Sequence, residues 1–139
     1  MSNNRGLYEF KENRFPSDKR KGFSRVDFRE DVNFSPVIFA SQGKDLRFTA
    51  QAKDLSSRGI YLEVNRERNL SALAHLKVSS LIWVSFYLPG LDIGVKTQGE
   101  IKRARPAGEG VLGLGVMFIN LSSRKLSIIK KFVRSKLES

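Results

Sequence analysis

Asp54-Leu55-Ser56-Ser57-Arg58-Gly59 (residues 54–59) stands between two runs of β-branched and apolar residues that have the character of strands. An ionised carboxylate at Asp54 can accept two parallel hydrogen bonds from a planar pair of N–H donors. Ser56 can donate to an anion or cap the turn, and Gly59 permits a positive φ or the close approach of a flat ligand. The stretch predicts a tight corner between strands, although the same residue types also build ordinary turns.

Six runs of alternating or β-branched apolar residues predict six strands around this corner. They lie at 37–39, 46–50, 60–64, 81–88, 93–101 and 112–118. Turn-forming residues separate them at 41–44, 54–59, 89–90 and 106–108. Short strands at this spacing are typical of a small antiparallel barrel or sandwich, in which closing the sheet removes exposed edges. The sequence therefore predicts a mainly β fold.

The two ends of the chain have different patterns. Residues 1–18 are polar with scattered aromatics and no period, which predicts a flexible N-terminal arm. Residues 19–139 form the predicted single domain, and its last segment, 122–137, predicts a helix capped by Ser122 or Ser123. The apolar side chains of that helix share one face, at Leu126, Ile129, Phe132, Val133 and Leu137. This face can pack on the barrel, or the basic helix can contact anionic lipid or an acidic partner.

Composition limits the classes of function. The 139-residue chain has no cysteine, which excludes disulfides, thiolate metal sites and a cysteine nucleophile. No segment has the roughly 20 apolar residues of a membrane span or the apolar run of a signal peptide, so we expect a cytoplasmic protein. The net charge of +11 indicates an anionic partner. Most of the excess is C-terminal, because residues 97–139 carry nine Lys or Arg against three Asp or Glu.

Catalytic constellations are missing from the sequence. His75 is the only histidine, so a multi-histidine metal site cannot be built. The acidic residues are scattered singly rather than paired for general acid–base chemistry, and no phosphate-binding G-x-x-x-x-G-K-[ST] loop occurs. We therefore expect a binding module that is not an enzyme and carries neither a cofactor nor a metal.

Three elements in a fixed order resemble the PilZ domain, a family of bacterial receptors for the second messenger cyclic di-GMP. A basic cluster at 19–25 runs into a strand, the 54–59 corner follows, and Gly113-Leu114-Gly115-Val116-Met117-Phe118 precedes the terminal helix. The family signature is RxxxR followed by (D/N)xSxxG, and the resemblance covers roughly residues 19 to 135. The corner matches the second motif at every fixed position.

The first motif departs from the family pattern. Arg25 is followed by Val26, as the second arginine of the motif should be, but Lys21 stands four residues earlier and Arg20 one position further back. A literal RxxxR exists at Arg25 and Arg29, yet Glu30-Asp31 behind it is a poor start for a strand, so we favour the first register. Lysine cannot reproduce a planar bidentate contact.

The resemblance implies a six-stranded antiparallel split β-barrel with a C-terminal helix, and a cyclic di-GMP site. Arg25 would grip a guanine edge or a phosphate, and Arg20 and Lys21 would neutralise phosphate. The remaining implied site residues are Asp54 for the guanine N1/N2 edge, Ser56 for a phosphate or ribose, Gly59 for close approach, and Arg103 for stacking on an outer guanine.

The resemblance implies a receptor that signals to a protein effector, still unidentified, by ordering its N-terminal arm around the ligand. Two other functions stay open. One is a PilZ-like adaptor that binds protein but no nucleotide, which the lysine at position 21 makes credible. The other, less favoured, is a basic β-barrel that binds RNA or single-stranded DNA, for which strong salt dependence would be expected.

Overall fold

The computed structural model describes residues 24–138, so the arm predicted over residues 1–18 lies outside the described part of the chain. Seven strands, two α-helices and one 3₁₀ segment follow each other within it. The strands are β1 (Val26–Asp27), β2 (Asp31–Pro36), β3 (Phe48–Leu55), β4 (Gly59–Asn65), β5 (Leu81–Leu88), β6 (Ile93–Gly108) and β7 (Val111–Ile119). The helices are α1 (Val37–Ser41) and α2 (Ser123–Leu137), with the 3₁₀ segment at Glu67–His75.

Six of the strands close into an antiparallel barrel. Their order is β3-β2-β5-β6-β7-β4, and β4 pairs back with β3 to complete the ring. The short β1 lies beyond β2 along the same edge of β3. The predicted six-stranded antiparallel barrel with a C-terminal helix is therefore confirmed, with β1 as an added strand.

The prediction of a strand at 37–39 is wrong. The strand comes earlier, at β2, where Val32, Phe34 and Pro36 point into the barrel and polar residues alternate with them on the outside. Proline has no N–H to donate to a ladder, and at Pro36 the chain leaves the sheet for the single turn of α1, which buries Phe39 and exposes Ile38. Of residues 37–39, only the aromatic Phe39 is buried, so the β-branched composition of this run indicated neither a strand nor burial.

One predicted turn is shorter than expected, and the turn predicted at 106–108 is wrong, because the chain turns at 109–110 instead. Asp54 and Leu55 belong to β3, so the corner is confined to residues 56–58. Pro106 to Gly108 belong to β6, which stays paired with β7 as far as Val111. Pairing with a neighbouring strand outweighs local turn propensity at both places.

The core combines the inner face of the barrel with one face of α2. Ser122 caps this helix by accepting a hydrogen bond from the Lys125 backbone N–H at 3.2 Å. Ile129, Phe132 and Val133 are buried, which confirms that the helix packs on the barrel. Leu137, which was predicted on the same apolar face, is instead 57% exposed. Among residues 24–138, no helix has the length and apolarity needed to cross a membrane.

Phe28 joins the barrel to α2. Its ring makes edge-to-face contacts with Phe86 of β5 and Phe132 of α2, at centroid distances of 5.8 and 5.6 Å. The side chain is 2% exposed. Aromatic pairs in this geometry stabilise a core beyond the area they bury.

We predict that Phe28→Ala lowers the free energy of unfolding by about 3–5 kcal/mol, because it leaves a cavity where three aromatic rings meet. Urea denaturation followed by circular dichroism measures the change. Leu70→Ala is the matched control, since Leu70 is 69% exposed and should change stability by less than about 0.5 kcal/mol. Equal effects of the two substitutions would contradict this role for Phe28.

Candidate functional site

A β-bulge in β3 turns Asp54 out of the barrel. Ala50 and Ala52 point inward, and strict alternation would bury Asp54 as well. The register with β4 shifts between Ala52 and Asp54, which leaves Lys53 as the extra residue. Asp54 therefore faces outward while Leu55 returns to the core.

A second bulge in β6 does the same for Arg103. Ile101 is fully buried, and the register with β7 shifts between Ile101 and Arg103, so Lys102 is the extra residue. Lys102 and Arg103 are both exposed, and Ala104 resumes the inward alternation by packing against the core. Two cations are thereby placed next to each other on the outer face.

The two bulged strands are aligned across β4 and β7. Asp54 pairs with Tyr61, Tyr61 pairs with Gly115, and Gly115 pairs with Arg103. Directly paired residues point to the same face of a sheet. This register therefore forms one row across four strands, with a carboxylate at one end and a guanidinium at the other.

Ser56 shapes the corner between β3 and β4. Its Oγ accepts hydrogen bonds from the backbone N–H groups of Arg58 at 3.1 Å and Gly59 at 3.2 Å. Its own N–H donates to the Gly59 carbonyl at 2.9 Å, and the residue is only 2% exposed. Of the two roles considered for this serine, capping of the turn is the one present, and a ligand contact stays a prediction.

Gly59 brings β4 close to β7. A Cβ at this position would lie 2.1 Å from the Val116 carbonyl oxygen and 3.3 Å from the Met117 Cα. The positive φ considered for Gly59 is not present, because its φ lies outside the left-handed region. The glycine is thus required for strand packing, and this packing positions the corner on the barrel.

Arg25 lies over the corner from the start of β1. Its Nη1 donates to Asp54 Oδ1 at 2.7 Å, and both side chains are 34% exposed. The contact is a charge-assisted hydrogen bond, and at this exposure it contributes about 0–1 kcal/mol. Its main consequence is orientation, because it sets a planar guanidinium beside a carboxylate at the surface.

These residues surround an open depression of about 620 Å³ on the outer face of the barrel. It offers cations on two sides, one carboxylate and an apolar floor. Its lining consists of Arg25, Asp54, Arg58, Gly59, Tyr61, Lys102, Arg103, Gly115, Val116 and Met117. A planar, anionic ligand is the chemistry that such a surface recognises.

Tyr61 lies on the floor of this depression. Its hydroxyl lies over β7, where a Cβ on Gly113 would be 2.3 Å from the tyrosine oxygen. Burial raises the pKa of Tyr61 above its ordinary value, and the neighbouring charges of Glu63 and Asp54 raise it further, against the opposing effect of Arg103. The phenol is therefore neutral at physiological pH and can donate a hydrogen bond.

Four of the seven residues predicted from the sequence line this depression: Arg25, Asp54, Gly59 and Arg103. Ser56 lies behind it as the cap of the corner, while Arg20 and Lys21 fall outside the described residues. Val26 begins β1, as the favoured register of the basic motif requires. Arg29, from the other register, does not line the depression, although β2 does begin with the acidic Asp31.

Sequence reasoning missed several lining residues, chiefly Arg58, Tyr61 and Lys102. Tyr61 could have been found by alternation, because Ile60 and Leu62 on either side of it point inward. Lys102 could have been found in the same way, because Ile101 before it points inward, but no sequence signal marks the bulge that also exposes Arg103. Within residues 24–138, no group of three or more His, Cys, Asp or Glu is arranged to bind a metal ion.

Comparison with known proteins gives a family match. The PilZ domain family model matches residues 19–135. No curated protein sequence matches the chain.

Solved structures share the fold. The inhibitor of motility MotI (DgrA) from Bacillus subtilis has a TM-score of 0.65 over 88% of this chain, at 12% identity. The PilZ domain of YcgR from Escherichia coli with c-di-GMP has a TM-score of 0.61 over 86%, at 11% identity. The complex of MrkH from K. pneumonia with c-di-GMP has a TM-score of 0.61 over 87%, at 13% identity. The chain spans 93% of the YcgR domain but about half, 54%, of MotI and of MrkH.

We predict that Gly59→Ala destabilises the fold by about 2–3 kcal/mol, because the new methyl group collides with the backbone of β7. Chemical denaturation measures the loss. Gly94→Ala is a matched control in another strand, where the nearest atom to an added Cβ is the Phe86 carbonyl oxygen at 4.0 Å. The free energy of unfolding of the control should change by less than about 1 kcal/mol. A Gly59→Ala variant as stable as this control would show that β4 and β7 can move apart without loss of stability.

Proposed function

This chain belongs to the PilZ domain family, and we propose that it is a bacterial receptor that binds cyclic di-GMP in the depression between Arg25, the 54–59 corner and Arg103. The observation that carries the proposal is the convergence of a guanidinium, a carboxylate and two further cations on one outer face, by way of two bulges. The PilZ domain of YcgR and MrkH, which share this fold, are described in complex with c-di-GMP.

Asp54 supplies the base-reading group in this proposal. A guanine presents its N1–H and N2–H donors side by side, and a carboxylate can accept both. One oxygen of Asp54 already accepts from Arg25, but an ionised carboxylate has about four acceptor positions in all. The carboxylate can therefore receive a base while it continues to orient the arginine.

Arg25 supplies the opposite chemistry beside it. A guanidinium fork matches the O6/N7 edge of guanine and also the oxygens of a phosphodiester. Arg25 is partly exposed and directly follows the basic segment 19–24. In the proposal, that segment brings Arg20 and Lys21 to the phosphates of the ligand as it closes over the depression.

Arg103 and Tyr61 complete the site from the strands. The planar guanidinium of Arg103 can stack on the outer face of a guanine, and Tyr61 offers a neutral ring on the floor. Arg58 and Lys102 add positive charge at the rim. Cyclic di-GMP carries two phosphodiester charges, and the cations around the single carboxylate leave enough net positive charge to neutralise them.

The output of the receptor would be a change of surface. Ligand contacts by residues 19–25 would fix that segment next to the corner, and an effector protein would read the new surface. A protein effector is part of the proposal because a newly ordered surface can carry a signal only to a molecule that binds it.

An adaptor that binds no nucleotide is the second candidate. It is favoured by Lys21 at the position of the first motif arginine, and by the ion pair in which Arg25 and Asp54 satisfy each other at 2.7 Å. In that case the row of charged residues is a protein-binding surface. The substitution at position 21 described below separates the two functions.

We predict that the chain binds cyclic di-GMP in isothermal titration calorimetry and that Asp54→Ala weakens binding roughly tenfold to hundredfold. This is the effect of losing one bidentate base contact of about 1–3 kcal/mol. Asp45→Ala is the matched control, because Asp45 lies outside the depression and its side chain is 87% exposed. No heat of binding at high protein concentration would exclude the nucleotide function.

Lys21→Arg should increase the affinity for cyclic di-GMP about tenfold, because a guanidinium can form the bidentate contact that an ammonium cannot. Titration of the variant and the parent chain under the same salt conditions gives the ratio. Lys44→Arg is the control for a general effect of arginine, since it lies outside the depression. If neither the parent nor the Lys21→Arg chain binds the dinucleotide, the adaptor function is favoured.

A further inference from the structure

A second depression lies on the opposite side of the barrel. The strand order places β2 and β5 across the ring from β4 and β7, which carry the candidate nucleotide site. The outer face of β2 and β5, together with residues 44–47 before β3, encloses about 370 Å³. The two depressions have no lining residue in common.

The apolar part of this depression is built on Trp83. This tryptophan is the only one in the chain, is partly buried, and faces outward from β5 between Ser35 of β2 and Gln98 of β6. Leu46, which is 41% exposed, lies on the rim. Leu46 therefore offers an aliphatic surface beside the indole, against which one apolar side chain could pack.

The polar part of the depression is cationic. Lys44, Arg47 and Lys96 line it, against one carboxylate at Asp45. Arg47 Nε lies 3.7 Å from Asp45 Oδ1, but both side chains are at least three-quarters exposed, at 75% and 87%. Such a pair contributes about 0–1 kcal/mol and is readily exchanged for another carboxylate.

The basic surface continues onto α2. Lys125 Nζ donates to the Lys96 carbonyl, which brings the first turn of the helix to the rim of the depression. Residues 123–137 carry six Lys or Arg and no Asp or Glu. The first turn of the helix contains cations and no acidic residue, which is unfavourable for the helix dipole. The unfavourable cations are those of the first turn, next to the depression, whereas Arg134 and Lys136 in the last turn are favourably placed for the dipole.

We propose that this depression docks an acidic segment of a partner protein. An apolar side chain of the segment would pack against Leu46 beside Trp83, and flanking carboxylates would pair with Lys44, with Arg47 and with Lys96 above the indole ring. Aromatic and arginine side chains are the residues most enriched at the centres of protein interfaces. The proposal goes beyond nucleotide binding and does not depend on it, because the two faces are separate.

The geometry favours a protein segment over single-stranded nucleic acid. Lys96 Nζ lies over the Trp83 ring, 5.3 Å from its centroid. A base could stack on this ring only by displacing the ammonium group and its cation–π contact. Carboxylates, in contrast, can pair with the ammonium group where it is.

Trp83 fluorescence tests the proposal directly, because the signal comes from this one site. The full chain is titrated with a random copolymer of glutamate and tyrosine at about 0.15 M salt, with oligo-dT as the nucleic-acid probe. We expect a saturable change in Trp83 emission with the copolymer. Lys44→Gln/Arg47→Gln should weaken that binding about fivefold, while leaving the affinity for cyclic di-GMP unchanged.

Lys130→Gln/Lys131→Gln is the matched control, because it removes the same charge from the exposed face of α2, away from the depression. It should weaken copolymer binding by less than about twofold. The proposal is overturned if Trp83 emission does not respond to the copolymer, if both double variants lose affinity equally, or if oligo-dT binds more tightly. If the copolymer does not bind but cyclic di-GMP does, only the docking proposal is overturned. If the copolymer binds but cyclic di-GMP does not, only the proposed nucleotide function is overturned.

Discussion

Two β-bulges, at Lys53 in β3 and at Lys102 in β6, determine which side chains of this barrel face the solvent at its candidate site. Each inserts one residue into a strand whose preceding residues alternate strictly between core and surface. The carboxylate of Asp54 and the guanidinium of Arg103 would otherwise point into an apolar interior, where an unpaired charge is very costly. The bulges therefore create the site and also protect the core.

The rest of the barrel fixes the two bulges relative to each other. β4 and β7 lie between them, and their backbones approach so closely at Gly59 that no Cβ fits there. The Ser56 hydroxyl caps the corner from beneath. Arg25 is then oriented at the surface by its hydrogen bond to Asp54. Recognition groups from four different elements thus meet on a framework of paired strands, which allows a small domain to position them without a deep cavity.

Much of this architecture could be predicted from the sequence, for identifiable reasons. Alternation in β5 and β7 is strong, and the caps and apolar face of α2 are local signals, so those elements were placed correctly. The 54–59 corner and Arg25 carry the family motifs, and both line or shape the candidate site. β2 was missed because composition favoured a strand in the β-branched run after Pro36. The strand in fact ends at this proline, and the run after it forms α1.

The bulges mark the limit of sequence reasoning. Whether Asp54 and Arg103 face outward depends on register with strands that are distant in the chain, and no local pattern encodes it. The same holds for the second surface around Trp83, whose lining residues come from five separate segments. Such surfaces depend on how strands that are distant in the sequence pair with each other, and local sequence patterns do not show this pairing.

An NMR titration of the full chain with cyclic di-GMP tests the central claim most directly. We expect backbone amide shifts to concentrate at Arg25, Asp54, Arg58 and Arg103, which line the depression that the two bulges create. The indole N–H of Trp83, a single resonance from the opposite face, should not move. Unchanged amides at the bulged strands, or shifts centred on Trp83, would contradict it.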